Sequence, residues 1–173
     1  MANIRIVKSV LAASAALYAL LAGLDNLTDY SSNFPFVQHV LEMDTTFRHP
    51  SVMWRSINAP LVHHAAFILI IAAELTVGTI AGVGAYLMFA ARRHNQEFVA
   101  AKSVAAVGLL LGVLLWFGGF LVIAGEWFLM WQSAQYNAQQ PAFQYSVAFL
   151  LVLLIVMIPE EHVSDAKPNS ANR

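Results

Sequence analysis

A few side chains in this sequence could do chemistry where water is scarce. Glu74 stands alone between 18 uncharged residues after Arg55 and 17 before Arg92. If that stretch crosses a membrane, the carboxyl sits near mid-bilayer, where its ionised form costs about 2.5–3.5 kcal/mol on insertion scales. Such a group must be paired, hydrogen-bonded or put to use. It could relay a proton, carry an ion or hold a ligand's polar head, or it could simply glue helices together through a helix carbonyl, Gln144 or Tyr145. His63 and His64 lie one above the other in sequence, so on a helix they point about 100° apart and only one can face a bundle interior. His63 and Glu74 are 11 residues apart, about 20° around a helix and about 16 Å in height. With Asp25 or Glu126, a histidine here could form a metal or proton-relay site, for which His64 and Glu126 are the metal candidates. Arg55 can pair with Asp25, Asp44 or Glu126, or bind lipid phosphate. Trp127 and Trp131 follow Glu126 as an aromatic belt would at a span's end.

The elements that must position these groups follow from composition. Of 173 residues, 59% are hydrophobic and only 11% charged, against about 25% charged in a soluble domain. Too few polar side chains remain to coat a water-soluble surface. Cysteine is absent, which excludes thiolate catalysis, Cys-ligated zinc and iron–sulfur clusters. A net charge of −1 offers no general attraction for nucleic acid. About 20 helical residues cross a 30 Å hydrocarbon core. The uncharged runs then predict four spans, at about 4–24, 61–91, 101–127 and 141–158. The apolar runs are continuous rather than alternating, which argues against a β-barrel.

The reading is therefore an all-α, integral membrane four-helix bundle over residues 1–159, with a disordered cytoplasmic tail over 160–173. The first apolar run is read as a retained anchor, because Ala12, Ala13, Ser14, Ala15 and Ala16 lie inside it rather than at a cleavage site. Seven of the nine basic residues (Arg5, Lys8, Arg92, Arg93, Lys102, Lys167, Arg173) fall on one side of a four-span topology. By the positive-inside rule both termini are expected in the cytoplasm. The outer loop, 25–60, should carry short interfacial helices, one from Asn33 through Phe34–Met43 and one after Pro50.

Gly78 and Gly82 form one G-x-x-x-G pair, and Gly108 and Gly112 another. Counted from the turn between spans two and three, both sit at similar depth, so a close hairpin is expected there. The same count puts His63, His64, Glu126 and Asp25 at one outer level, and Gly118–Gly119 opposite Glu74.

Two stretches carry a resemblance. One is Phe36-Val-Gln-His39-Val-Leu-Glu42-Met43-Asp44-Thr-Thr-Phe47 followed by Trp54-Arg55-Ser-Ile57. The other is Gly125-Glu126-Trp127-Phe128-Leu-Met130-Trp131-Gln132-Ser133 followed by Tyr136-Asn137-Ala-Gln139. Together they resemble a bacterial family described as predicted small integral membrane proteins, a domain of unknown function. The resemblance runs from about Ile4 to Ile158. It implies four spans in a bacterial cytoplasmic membrane, and it assigns no activity and no cofactor.

The functional expectation is a non-enzymatic accessory or scaffold subunit, or a binder of lipid or a small apolar ligand at an outer polar cluster. That cluster comprises Asp25, Arg55, His63, His64, Glu74, Glu126, Trp127 and Trp131. One alternative is a quinone- or metal-binding component of a membrane oxidoreductase. A second is an oligomeric transporter or channel using Glu74. The expected partners are the lipid bilayer and, beyond it, other membrane subunits or further copies of the chain, with no nucleic acid.

Overall fold

The computed structural model describes residues 2–160. Five helices follow one another: α1 (Ala2–Thr28), α2 (Tyr30–Glu42), α3 (Pro60–Ala90), α4 (Asn95–Val113) and α5 (Gln139–Met157). The helix of α4 runs on as a π-helical stretch over Leu114–Trp127. Short 3-10 turns occupy Met53–Arg55 and Met130–Gln132. No strand occurs among the described residues. Four helices are long and apolar enough to cross a membrane: Asn3–Thr28, Pro60–Ala90, Asn95–Trp127 and Gln139–Met157. This is the expected all-α bundle, with α2 as the short helix of the first loop.

The distribution of side chains is that of a protein in lipid. Small residues fill the interior: Ala12, Ala16, Ala19, Ala81 and Ala105 are at most 2% exposed. Large apolar ones such as Leu17, Leu69, Tyr86 and Leu151 face outward. Lipid tails are as apolar as leucine, so helices associate here by backbone approach and close packing rather than by hiding oily surface.

Helix α3 lies between α1 and α4, and glycines set both approaches. A Cβ on Gly78 would stand 2.5 Å from Leu20 Cγ and 2.9 Å from the Ala16 carbonyl oxygen of α1. A Cβ on Gly108 would meet the backbone of Ala81, 2.7 Å from its Cα, and one on Gly84 would be 2.8 Å from Ala105 Cβ. The close hairpin of α3 and α4 thus pairs Gly108 with Ala81 and Gly84 with Ala105. The other glycines of the two sequence motifs do different work. Gly78 and Gly82 turn toward α1, and Gly112 makes room for Phe149 of α5. The register is three residues away from the one counted from Ala91 and Ala101, because α4 begins at Asn95, right after a four-residue turn.

Two local expectations change. Helix α2 starts at Tyr30, not after Asn33, so Pro35 lies inside it. Proline has no N–H to offer the carbonyl of Ser31, and Ser31 is exposed, so another donor can reach that oxygen. The segment after Pro50 shortens to the 3-10 turn Met53–Arg55, and the Ile57 N–H bonds the Leu41 carbonyl at 2.8 Å, pinning the loop to the end of α2.

At the end opposite the long loop, which we call the basic end, three cations converge on one carboxylate. Lys8 Nζ donates to Glu160 Oε1 (2.7 Å) and to the Ile158 carbonyl (2.6 Å). Lys102 Nζ donates to the same two acceptors at 3.3 and 2.7 Å. Arg5 Nε lies 3.8 Å from Glu160 Oε2. This joins α1, α4 and the end of α5. Glu160, read from sequence as the first residue of a tail, is tied into the bundle; residues 161–173, the rest of that expected tail, lie outside the described residues. Burial works against the Glu160 charge, but the hydrogen bonds and charges of Lys8 and Lys102 outweigh it and hold the carboxyl below its usual range.

Two outcomes are expected. Gly108→Ala forces α3 and α4 apart and should cost about 1–3 kcal/mol, whereas Gly82→Ala, whose Cβ would rest 3.7 Å from Ala16 Cβ, should leave stability unchanged. Thermal unfolding in detergent, compared between the two variants, checks this. Because the folded-state pKa of Glu160 is depressed, its stabilisation is complete above the ordinary glutamate value of about 4.3 and is lost as pH falls through the lower folded value. Glu160→Gln should cost about 3 kcal/mol at neutral pH, as loss of one partner from a buried ion pair does, and should flatten the acid limb of a stability–pH curve.

Candidate functional site

Cavities open at the loop end of the bundle, and one of about 290 Å³ lies at the basic end beside Lys102 and Glu160. Glu74 is 3% exposed, and its Oε2 accepts a 2.8 Å hydrogen bond from Asn26 Nδ2 of α1. Gly23 permits that approach: a Cβ there would stand 3.2 Å from Glu74 Cβ. The sequence offered Gln144, Tyr145 or a helix carbonyl as partners, and Asn26 takes the role. The signal was available, since Asn26 ends the same run of α1 as Asp25, one turn before Tyr30 and at the level the long loop closes over.

Beside Glu74 opens a cavity of about 460 Å³, walled by Tyr18, Asp25, Asn26, Trp116, Phe120 and Tyr145 among others. Its aromatic side is continuous. The Tyr18 ring lies 4.5 Å from Tyr145 and 5.6 Å from Trp116, and Trp116 lies 4.8 Å from Phe149, centroid to centroid. A second cavity of about 500 Å³ shares Asn26, Phe120 and Ala138 as walls and reaches Asn33, Phe67 and Tyr136. A third, of about 210 Å³ and lined by apolar residues, lies between α2, α3 and the π-helical stretch.

The π-helical stretch is what places Trp116 and Phe120 here. Its hydrogen bonds run from residue i to i−5, as from the Phe128 N–H to the Ile123 carbonyl at 3.1 Å. The wider turn shifts every later side chain around the axis relative to an α-helix. Fourteen residues of π-helix is long, since such geometry mostly occurs as single turns, often at functional sites. It also explains why Gly118 and Gly119 do not stand opposite Glu74. Gly118 faces open space and Gly119 lines the apolar third cavity.

The sequence-predicted residues fall into separate surroundings. Asp25 shares the cavity wall with Glu74 and accepts a long, 3.4 Å bond from Asn33. His63 is 1% exposed; its Nε2–H donates to the Ile57 carbonyl at 2.7 Å, and its Nδ1 lies 3.7 Å from Glu42 Oε1. His64 points the other way, as adjacent helical residues must. Its Nδ1 bonds the Tyr30 hydroxyl at 2.7 Å, and its ring stacks on Phe34 at 4.1 Å. Arg55 lays its guanidinium over Trp127 at 4.8 Å and Trp54 at 5.7 Å, and donates to the Trp127 carbonyl. Trp131 packs edge-on to Phe47, 5.9 Å between centroids. Glu126 is exposed and makes no hydrogen bond or ion pair among the described residues. The structure thus brings Glu74 and Asp25 to one cavity, and sets His63, His64, Arg55 with Trp127, Trp131 and Glu126 around it on partners of their own.

Sequence reasoning named Tyr145 only as a possible partner of Glu74 and missed Tyr18 and Trp116, because aromatic residues on spans read as ordinary packing. It also passed over His39, Glu42 and Asp44 as a group. Ligand atoms of these three lie within 4.8 Å of one another, the one such gathering of potential metal donors among the described residues.

No curated protein and no solved structure matches the chain. One family does: the profile described as "predicted small integral membrane protein" matches residues 4–159, from the first turns of α1 to just beyond α5. Four apolar helices of spanning length and a match over nearly all of the described residues lead to one conclusion: the chain belongs to this family of small integral membrane proteins.

Proposed function

We propose that this protein binds a small amphiphile within the bilayer, a lipid or lipid-like molecule with an apolar body and a hydrogen-bonding head. The observation that carries the reading is the pairing of a buried carboxyl with an adjoining cavity: Glu74, held by Asn26, beside about 460 Å³ walled largely by aromatic rings. Ligand sites are typically cavities of about 300–1,000 Å³, mostly apolar, with a few fixed polar groups that orient the ligand. The Asn26 bond occupies one oxygen of Glu74, and the carboxyl can offer the other to a hydroxyl or amine head. Tyr18, Trp116 and Tyr145 supply flat apolar surface for the body. No step of bond making or breaking enters this reading, which is that of a non-enzymatic binder or accessory subunit.

We further propose a bacterial cytoplasmic membrane, with both termini inside. The support is the gathering of Arg5, Lys8, Arg92, Arg93 and Lys102 at one end of the bundle, opposite the long loop.

The ligand reading is tested with Trp116 as the sole tryptophan, the other three being replaced by Phe. A brominated long-chain alcohol, titrated in detergent, should quench Trp116 saturably, and Glu74→Leu should weaken the apparent affinity at least about ten-fold, the equivalent of one hydrogen bond of about 1.4 kcal/mol. Equal quenching in both chains, or none in either, overturns the proposal. Topology is tested with single cysteines at Gln96 and Gln135, both exposed, in a chain that has no cysteine of its own. In intact spheroplasts an impermeant maleimide should label position 135 and spare 96; the reverse pattern overturns the orientation.

A further inference from the structure

The loop end holds a second group of polar side chains, separate from Glu74, in which imidazoles and carboxylates converge. His39 and Glu42 lie three residues apart, on one face of α2. Met43 then closes the helix in the left-handed conformation, φ 53°, which folds the chain back and brings Asp44 beside His39. A 2.8 Å hydrogen bond joins His39 Nδ1 and Asp44 Oδ2. Ligand atoms of His39, Glu42 and Asp44 all fall within 4.8 Å. Donors around a transition metal at bond lengths of about 2.0–2.2 Å stand roughly 3–4 Å apart, so small side-chain movements close the set.

His63 supplies the independent observation. Its side chain is 2% exposed. The Ile57 carbonyl can only accept, so Nε2 carries the proton of that 2.7 Å hydrogen bond. The Nδ1 faces Glu42 Oε1, 3.7 Å away, an oxygen that also accepts a 2.9 Å hydrogen bond from Gln38 Nε2. A buried imidazole nitrogen aimed at a part-exposed carboxylate leaves room for a cation to bridge the two. The backbone-fixed tautomer is the one that prepares a histidine to ligate a metal. The Oδ1 of Asp44 is buried and has no hydrogen-bond partner. Among the described residues no lysine or arginine pairs with Glu42 or Asp44.

We propose that His39, Glu42 and Asp44, with His63 as the adjoining fourth donor, bind a divalent transition-metal cation. Imidazole with carboxylate suits zinc and its first-row neighbours rather than magnesium or calcium, which prefer all-oxygen sites. Such an ion ties the end of α2, the turn after it and the start of α3 together above the cavities. It is distinct from the ligand cavity at Glu74, so either proposal can fail alone.

The test uses the full-length chain in detergent, stripped with a chelator, and zinc alone as the probe. Isothermal titration should give one saturable site, insensitive to millimolar magnesium. Glu42→Gln and Asp44→Asn should each weaken it at least about ten-fold, the smallest loss seen even when an outer-shell partner is removed. His64→Ala, on the other face of α3, should leave it unchanged. Absence of a one-to-one site, or its survival in the double variant Glu42→Gln/Asp44→Asn, overturns the proposal. A second measurement does not depend on ligand variants. In a chain whose other four histidines are Gln, pulsed paramagnetic resonance of added copper(II) should show coupling to imidazole nitrogen, which only His39 and His63 can then provide. No such coupling overturns the site.

Discussion

The close approach of α3 to its two neighbours governs the rest of the molecule. In lipid, helix association has no hydrophobic drive and depends on how near two backbones can come. Gly78 lets α1 reach α3, and Gly84 and Gly108, set against Ala105 and Ala81, do the same for α4. Gly23 brings α1 against α3 at the level of Glu74 as well. The cavity opens beside that contact, toward the bulky Trp116, Phe120 and Tyr145 of the π-helical stretch and α5.

Helix α2 and its flanking turns border the second and third cavities and are held by aromatic and polar contacts rather than by backbone approach. Tyr30 and Phe34 stack with His64, Tyr136 stacks on His39 at 4.3 Å, and Arg55 spans two tryptophans. Each such contact contributes on the order of 0.5–1.5 kcal/mol beyond its buried area. Their hold is a sum of modest, separable terms, unlike the interlocked glycine contacts of α3.

Much of this was legible in the sequence. The spacing of charges located four spans, because a charge inside hydrocarbon is costly enough to mark the edges. The same cost singled out Glu74 as a candidate, and the structure buries it against Asn26. What failed to read through was register. Counting depth from the turn assumed 1.5 Å per residue throughout, and a π-helical stretch over Leu114–Trp127 breaks that assumption without any proline or charge to announce it. Direction around an axis was equally hidden. Gly78 and Gly82 fit a hairpin motif but face α1 rather than α4, a choice set by which neighbour arrives with matching small residues. His39, Glu42 and Asp44 escaped because their convergence depends on one left-handed residue, Met43, a conformation methionine rarely signals.

The cluster at Glu160 has a consequence for synthesis. Lys8 and Lys102 are made before the carboxylate that neutralises them, and Lys8 precedes it by 152 residues. Until α5 is in place, both ammonium groups need water or headgroups as partners. The last span thereby brings the partner of a lysine on the first, and a chain stalled before Glu160 would lack the carboxylate that pairs with Lys8 and Lys102.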